Sequence, residues 1–300
     1  MDIAITGASG LIGTPLVAKL TAEGHRVLRL VRSTHPTAGG SDTSAWDPVE
    51  GTIDAAALEG IDAVIHLAGA GIGDKRWTDE QKRILRTSRT LGTGLLARTL
   101  AGLDRPPGHL LSGSAIGYYG DTGDRATDES GPAGSDFLSG ICVDWEAAAQ
   151  PAIDAGIATT FLRTGIVLSP DGGALGKQLL PFKLGLGGRA GSGRQYQSWI
   201  SIDDELGAIG FLLAHPELTG PVNLTAPDPV TNAEFTKALG KALHRPTTVL
   251  PMFGPRLLFG RELADTLLLS SQRIVPGVLS AAGYPYAHPD LAEALAYLLG

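Results

Sequence analysis

The chain of 300 residues carries 24 Lys+Arg against 31 Asp+Glu, a formal net charge of −7, with 43% hydrophobic and 18% charged residues. That length buries a large core, and the apolar content excludes a disordered chain. The acidic balance has no basic stripe to neutralise a polymer of phosphates, which argues against nucleic acid as a partner.

In chain order, apolar runs of strand length at 3–6, 26–31, 63–67, 109–112 and 160–162 alternate with segments of helical spacing at 14–23, 79–103 and 144–155. Alternation of this kind predicts right-handed crossovers and a doubly wound parallel sheet of the α/β class. After Ser169 the rhythm breaks. Pro170-Asp171-Gly172-Gly173 and the glycine-rich run 185–193 read as loop around short strands. Val222-Asn223-Leu224 suggests a brief return to the sheet, and 232–300 read as mostly helical. The expected domains are a nucleotide-binding Rossmann unit over 1–168, rejoined by 201–226, and a smaller, mostly helical C-terminal substrate lobe from 169–200 and 227–300. The single cysteine, Cys142, leaves no internal disulfide and no thiolate cluster, so no metal site is expected. No signal pattern is visible at the start, and no run approaches the ~20 apolar residues of a membrane span. A cytoplasmic protein with no membrane partner is expected.

The segment Thr6-Gly7-Ala8-Ser9-Gly10-Leu11-Ile12-Gly13 follows an apolar strand and opens a helix. Gly7 permits the tight turn, Gly10 lets the backbone approach a pyrophosphate, and Gly13 lets the helix pack on the strand. Phosphates are then expected on the free N–H groups of the helix N-terminus. An ordinary glycine turn is the alternative, and the strand-turn-helix context argues against it. The second strand ends Leu30-Val31-Arg32-Ser33, with no carboxylate to bind a ribose 2′-hydroxyl. Arg32 offers a charged fork to a 2′-phosphate and Ser33 a hydroxyl, which favours NADP(H) over NAD, although Arg32 also fits a solvated surface position. Residues 172–177 look like part of a P-loop, but the spacing is one residue short. Gln178 stands where Ser or Thr would hold magnesium, so an NTPase is rejected.

With the turn in place, further motifs carry a likeness: Trp46-Asp47-Pro48, the run 62–69, Arg76-Trp77, Thr87-Ser88-Arg89, the run 114–120, Asp144-Trp145-Glu146, the run 180–193 and Ser271-Gln272-Arg273-Ile274-Val275-Pro276. Over nearly its whole length the chain resembles an atypical branch of the extended short-chain dehydrogenase/reductases, the epimerase-like family 39U. The resemblance implies that Gly7, Ser9, Gly10, Leu11 and Ile12 line the pyrophosphate and Arg32 the 2′-phosphate. It further implies that Leu67, Ala68 and Gly69 lie near the ribose and nicotinamide, that Arg89 is a cofactor-proximal polar residue, and that Val167 lies against the nicotinamide. Leu67 and Val167 also fit plain packing. Related extended proteins often pair through helices beside the active-site helix, so a homodimer is among the implied partners, with an unknown small molecule as substrate.

Active members of the superfamily carry a Tyr and, four residues later, a Lys whose charge lowers the tyrosine pKa. The corresponding helix here is Phe137-Leu138-Ser139-Gly140-Ile141-Cys142-Val143-Asp144-Trp145-Glu146, which puts Leu138 and Cys142 in those positions. No Tyr or Lys stands anywhere from 121 to 155, so no shift of alignment recovers the pair. Ser114 keeps the superfamily's hydroxyl position, and Tyr118 and Tyr119 are substitute proton donors or packing residues. Cys142 reads as a buried small side chain rather than a nucleophile, and the acidic loop of Asp121, Asp124, Asp128 and Glu129 does not match a calcium loop. Arg189, Arg194, Gln197 and Trp199 are substrate-binding candidates, an arginine fork with an aromatic wall, or else a solvated glycine-rich loop. Two functions follow: an NADP(H)-dependent epimerase-like oxidoreductase, or a cofactor-binding sensor that has shed catalysis.

Overall fold

Strand alternation is visible in where consecutive side chains go. Ile3 and Ile5, Ile65 and Leu111 pack on one side of the large sheet with Leu16, Leu20, Ile209 and Leu212. Their neighbours Ala4, Val64 and Leu110 pack on the other with Leu30, Leu96 and Leu100. Both faces are therefore covered by helices, as parallel strands require. In this computed structural model, which describes residues 1–32 and 42–300, the first half comprises β1 (Asp2–Thr6), α1 (Gly13–Ala22), β2 (Arg26–Arg32), β3 (Thr43–Asp47), β4 (Thr52–Ile53), β5 (Ala63–His66), α2 (Asp79–Ala101), β6 (His109–Ala115), α3 (Phe137–Ala147), α4 (Gln150–Asp154) and β7 (Ala158–Thr164). The second half comprises β8 (Ile166–Ser169), α5 (Gly173–Lys183), β9 (Gly188–Ala190), β10 (Tyr196–Gln197), β11 (Trp199–Ser201), α6 (Ile202–Ala214), β12 (Gly220–Leu224), β13 (Val230–Thr231), α7 (Asn232–Ala242), β14 (Thr248–Leu250), α8 (Phe253–Phe259), α9 (Arg261–Leu269), α10 (Gly277–Ala281) and α11 (Leu291–Leu299).

The large sheet has the order β12-β7-β6-β5-β1-β2-β3-β4. Its pairings are parallel except β3 with β4. The chain builds outward from β1 in one direction and from β5 in the other, so this is the doubly wound α/β fold, with the order reversing between β1 and β5. The strand read at 222–224 is β12, and it closes the sheet against β7.

Two local expectations change. Residues 144–155 are not one helix: α3 starts earlier, where the Asp136 carboxylate accepts the Ser139 N–H at 2.9 Å, and it stops before Pro151, which lacks an N–H to continue the ladder. Residues 173–183, between the two stretches read as loop, form α5, because Leu175, Leu179 and Phe182 recur at helical spacing and bury their stripe against Trp199, Phe235 and Leu295.

The tail at 271–276 is threaded through the middle of the molecule. Thr122 N–H donates to Ser271 O, Thr127 N–H to Arg273 O and Val275 N–H to Thr127 O, while Gln272 N–H donates to Tyr196 O. Ile274 N–H donates to Ser198 Oγ at 2.8 Å.

Candidate functional site

At the switch between β1 and β5 the backbone itself shapes the crevice. Gly7 turns at φ +69°, and a Cβ there would sit 2.8 Å from the Leu67 carbonyl carbon; one on Gly13 would sit 2.1 Å from Gly7 O. Neither position admits a side chain, so the turn packs directly on β5 and on the first turn of α1. Gly10 N–H donates to Gly7 O and Thr14 N–H to Gly10 O, both at 3.0 Å. Ser9 and Gly10 are thereby left exposed, with Leu11 and Ile12 half-buried beside them.

Across the crevice, Thr6 Oγ1 accepts the N–H groups of Leu67 and Ala68 at 3.1 and 3.2 Å. Its own O–H is then left for His66 Nδ1 at 2.7 Å. Burial pushes the His66 pKa down to about 4, so the ring is neutral and can accept that proton. Gly69 follows, exposed, beneath the Arg89 guanidinium. Arg32 is exposed at the C-terminal end of β2, on the sheet edge that carries the turn; Ser33 lies outside the described residues. A concave backbone turn, a helix N-terminus and a cation at the neighbouring strand tip can together hold a pyrophosphate and one further phosphate.

Beyond the crevice, at the C-terminal ends of β6 and β7, lies a cavity of about 160 Å³. Its walls include Ile72, Arg89, Ala115, Ile116, Leu138, Cys142, Trp145, Thr164, Gly165, Ile166 and Gln272. Leu138 and Cys142, one turn apart on α3, both face it, and burial pushes the Cys142 thiol up to about 12. Arg89 is 7% exposed and lies 4.9 Å over the Trp145 ring. Its Nη1 donates to Leu85 O, its Nε has no partner, and it has no ion pair among the described residues. Burial lowers its pKa. A buried guanidinium without a carboxylate is costly, and an anionic or strongly dipolar oxygen in the cavity offsets that cost.

Thr164 is the one hydroxyl-bearing residue on the cavity wall, and its Oγ1 donates to Glu205 Oε1 at 2.9 Å and to Leu162 O at 3.4 Å. Glu205 comes from α6 and is wholly buried; its Oε2 has no partner. Burial pushes this carboxyl up to about 8 although the Thr164 bond favours the charged form. Below that pH it is a neutral acid beside the Thr164 oxygen.

Two of the hydroxyls expected to be catalytic, those of Ser114 and Tyr119, are engaged in a network of their own. Ser114 donates to Glu146 Oε1 at 2.6 Å. Glu146 in turn takes the Arg163 fork, Nε to Oε1 at 2.8 Å and Nη2 to Oε2 at 2.9 Å. Arg163 Nη1 donates to Tyr119 Oη, and Tyr119 donates to Asn223 Oδ1, both at 2.8 Å. Tyr119 is buried with its oxygen used twice, and burial pushes its pKa up to about 12. Tyr118 stacks its ring 3.4 Å from the same guanidinium. None of the three is among the residues that line the cavity, and Ser114 and Tyr119 join β6, α3, β7 and β12 through these bonds.

Five further positions lie away from the cavity wall. Val167 packs in the sheet core, and Ile166 takes the wall position expected for it, since alternation along β8 turns only one of the two inward. Trp199 is a core residue 1% exposed, its indole N–H donating to Asp228 O, and not an aromatic wall. Arg189 folds back onto Gly191 O and Ser192 O. Arg194 is exposed and Gln197 half-buried, and neither reaches the cavity. In their place the wall uses Gln272, whose Nε2 donates to Ile116 O and Gly120 O, both at 3.1 Å. Thr164, Glu205 and Gln272 were absent from the sequence-based candidates. Glu205 alone left a signal, a carboxylate on the buried stripe of α6 with Ile209 and Leu212.

Comparison with known proteins agrees with this geometry. Residues 3–224 match the model of the NAD dependent epimerase/dehydratase family, and residues 250–298 that of a domain of unknown function (DUF1731). The epimerase family protein Mb2239 of Mycobacterium bovis is 48% identical over 296 residues, covering 98% of this chain and 96% of that one. The human epimerase family protein SDR39U1 is 37% identical over 299 residues, 98% of each chain. The crystal structure of human SDR39U1 (isoform 2) with NADPH superposes with a TM-score of 0.90 at 35% identity, covering 100% of this chain and 99% of that one. The chain belongs to the NAD dependent epimerase/dehydratase family.

Proposed function

We propose that this protein binds NADP(H) and acts as an epimerase-like oxidoreductase on a small carbonyl or hydroxyl compound, with Thr164 and Glu205 handling the proton that a Tyr-Lys pair handles elsewhere. The observation that carries it is the buried acid hydrogen-bonded to the one hydroxyl-bearing residue on the cavity wall, at the end of the crevice beside the glycine turn. Gly7, Ser9, Gly10, Leu11 and Ile12 take the pyrophosphate and Arg32 the 2′-phosphate, while Leu67, Ala68 and Gly69 border the ribose. That human SDR39U1 was crystallised with NADPH supports this choice of cofactor. The cofactor, when bound, supplies or accepts hydride. The chain's own groups hold the substrate oxygen: Arg89 by charge, Thr164 by a hydrogen bond backed by Glu205, with Leu138, Ile166 and Trp145 excluding water. In this reading residues 1–168 with 201–226 carry the cofactor, and 169–200 with 227–300 close the substrate side.

The test is NADPH consumption against a panel of carbonyl compounds and sugar nucleotides, run beside NADPH fluorescence titration. Expected is turnover that falls about 100-fold or more in Glu205→Gln with unchanged NADPH affinity, the usual scale for loss of a general acid. Tight NADPH binding with no turnover on any compound favours the sensor instead. That second reading has its own support, since Ser114 and Tyr119 are locked into a buried network.

A further inference from the structure

The surface contains one face unlike the rest. Stretches 173–191 and 241–261 hold seven of the chain's 24 Lys+Arg and none of its 31 Asp+Glu. The same stretches carry over half of the large apolar side chains exposed among the described residues. Leu180, Leu184 and Leu186 project from α5 and its exit, Val249 from β14, and Phe253, Leu257 and Leu258 from α8, the last three between 68% and 75% exposed. These segments adjoin. β14 pairs with β9, Thr248 N–H donates to Gly187 O, and Arg245 Nε donates to Lys183 O at 2.9 Å. α8 follows β14 directly and packs on α9, and Leu267 of α9 and the Lys177 ammonium of α5 both lie beside Gly73.

We propose that this face docks the protein peripherally on an anionic phospholipid surface. No helix of the described residues is long and apolar enough to cross a membrane, and docking needs none: exposed Leu and Phe enter the headgroup boundary while cations beside them meet lipid phosphate. The charges are available for it. Lys183, Lys241 and Arg245 are exposed and have no ion pair among the described residues, whereas Lys177 faces Asp74 and Arg256 and Arg261 share Asp265. Charge also separates this occupant from a second copy of the chain. A two-fold interface sets a patch against itself, and here that brings cations to cations with no acid from either stretch between them. The remaining surface holds all of the acids, so an anionic bilayer repels it and turns this face inward. Docking also orients the cavity, because Arg76 donates to the carbonyls of Leu257 and Leu258 and so ties α8 to the loop that carries Ile72.

The experiment is flotation of the full chain with vesicles of phosphatidylcholine alone or doped with phosphatidylglycerol, at low and high salt. Expected is binding to the anionic vesicles only, weakened by salt. Lys183→Ser and Lys241→Ser should each lower the partition about five-fold, the fold-change of roughly 1 kcal/mol per cation at such a surface. Phe253→Asp with Leu257→Asp should abolish it, with circular dichroism and NADPH titration unchanged. Absence of binding to phosphatidylglycerol vesicles overturns the proposal, as does binding that ignores the charge variants. A dimer in sedimentation equilibrium that dissociates in the Phe253→Asp, Leu257→Asp variant makes the occupant a second copy and overturns it equally.

Discussion

The two ends of the crevice are built by opposite means. At the phosphate end, the consecutive residues 6–13 do the work with backbone: Gly7, Gly10 and Gly13 shape a turn in which no side chain fits at two of the three positions. At the far end the wall is mostly side chain, gathered from six segments between Ile72 and Gln272. A backbone cradle serves any member of a fold that binds the same cofactor. A side-chain cavity can exchange its proton donor without disturbing the cradle, so one end can stay constant while the other changes its chemistry.

Breaking the cradle should have the largest effect. In Gly13→Ala the new methyl meets Gly7 O and Ala8 Cα, and NADPH affinity by fluorescence titration should fall about 100-fold or more, since backbone cannot yield as a side-chain tip can. At the other end, Arg163→Met leaves Glu146 buried without its fork. Chemical denaturation should show a loss of about 3–5 kcal/mol, and the double variant Glu146→Gln, Arg163→Met should recover part of it. A subtler break is Glu205→Gln. The Glu205 carboxyl ionises at about 8 when folded against a model value of 4.5, so the folded state holds the proton more tightly. Its contribution to stability is full below pH 4.5 and is lost as pH rises through about 8, at up to roughly 1.4 kcal/mol per pH unit. The wild-type unfolding midpoint should fall across that window more steeply than that of Glu205→Gln. His66 works in the opposite sense at lower pH: its folded pKa of about 4 against 6.5 makes its contribution fade as pH falls from 6.5. Finally, Arg32→Ser should cost about 1.5–3 kcal/mol of NADPH binding, the worth of a charged hydrogen bond, while leaving NADH affinity within a few-fold. Equal losses for both cofactors would remove Arg32 from the 2′-phosphate.

This contrast also explains what could be read without a structure. The turn 6–13, the strands of the large sheet and the tip at Arg32 are local, each declared by a few neighbouring residues and the chemistry of a glycine or a period of two. The cavity is not local. Gln272 reaches it from 156 residues beyond Ile116, and Glu205 follows Asp203 and Asp204, so it resembles one more solvated acid at a helix start until the stripe with Ile209 is noticed. Position along the chain does not tell where a hydroxyl points, so the bonds of Ser114 to Glu146 and of Tyr119 to Asn223 could not be read from it. Trp199 misled because an aromatic beside arginines looks like a binding wall, whereas the three residues of β11 are all buried. The helix α5 was hidden by the glycines on either side of it.

The tail threaded at 271–276 has a consequence for the order in which the molecule comes together. Its contacts reach back to Ile116, Thr122, Thr127 and Ser198, so they close some of the longest loops in the chain, and closure over such separations is slow. The glycine turn needs only β1, α1 and β5, all supplied within the first 66 residues. During synthesis on the ribosome the phosphate cradle can therefore form while the cavity still lacks a wall, and the ligand site becomes competent only when residue 272 has emerged and been laid between the two halves.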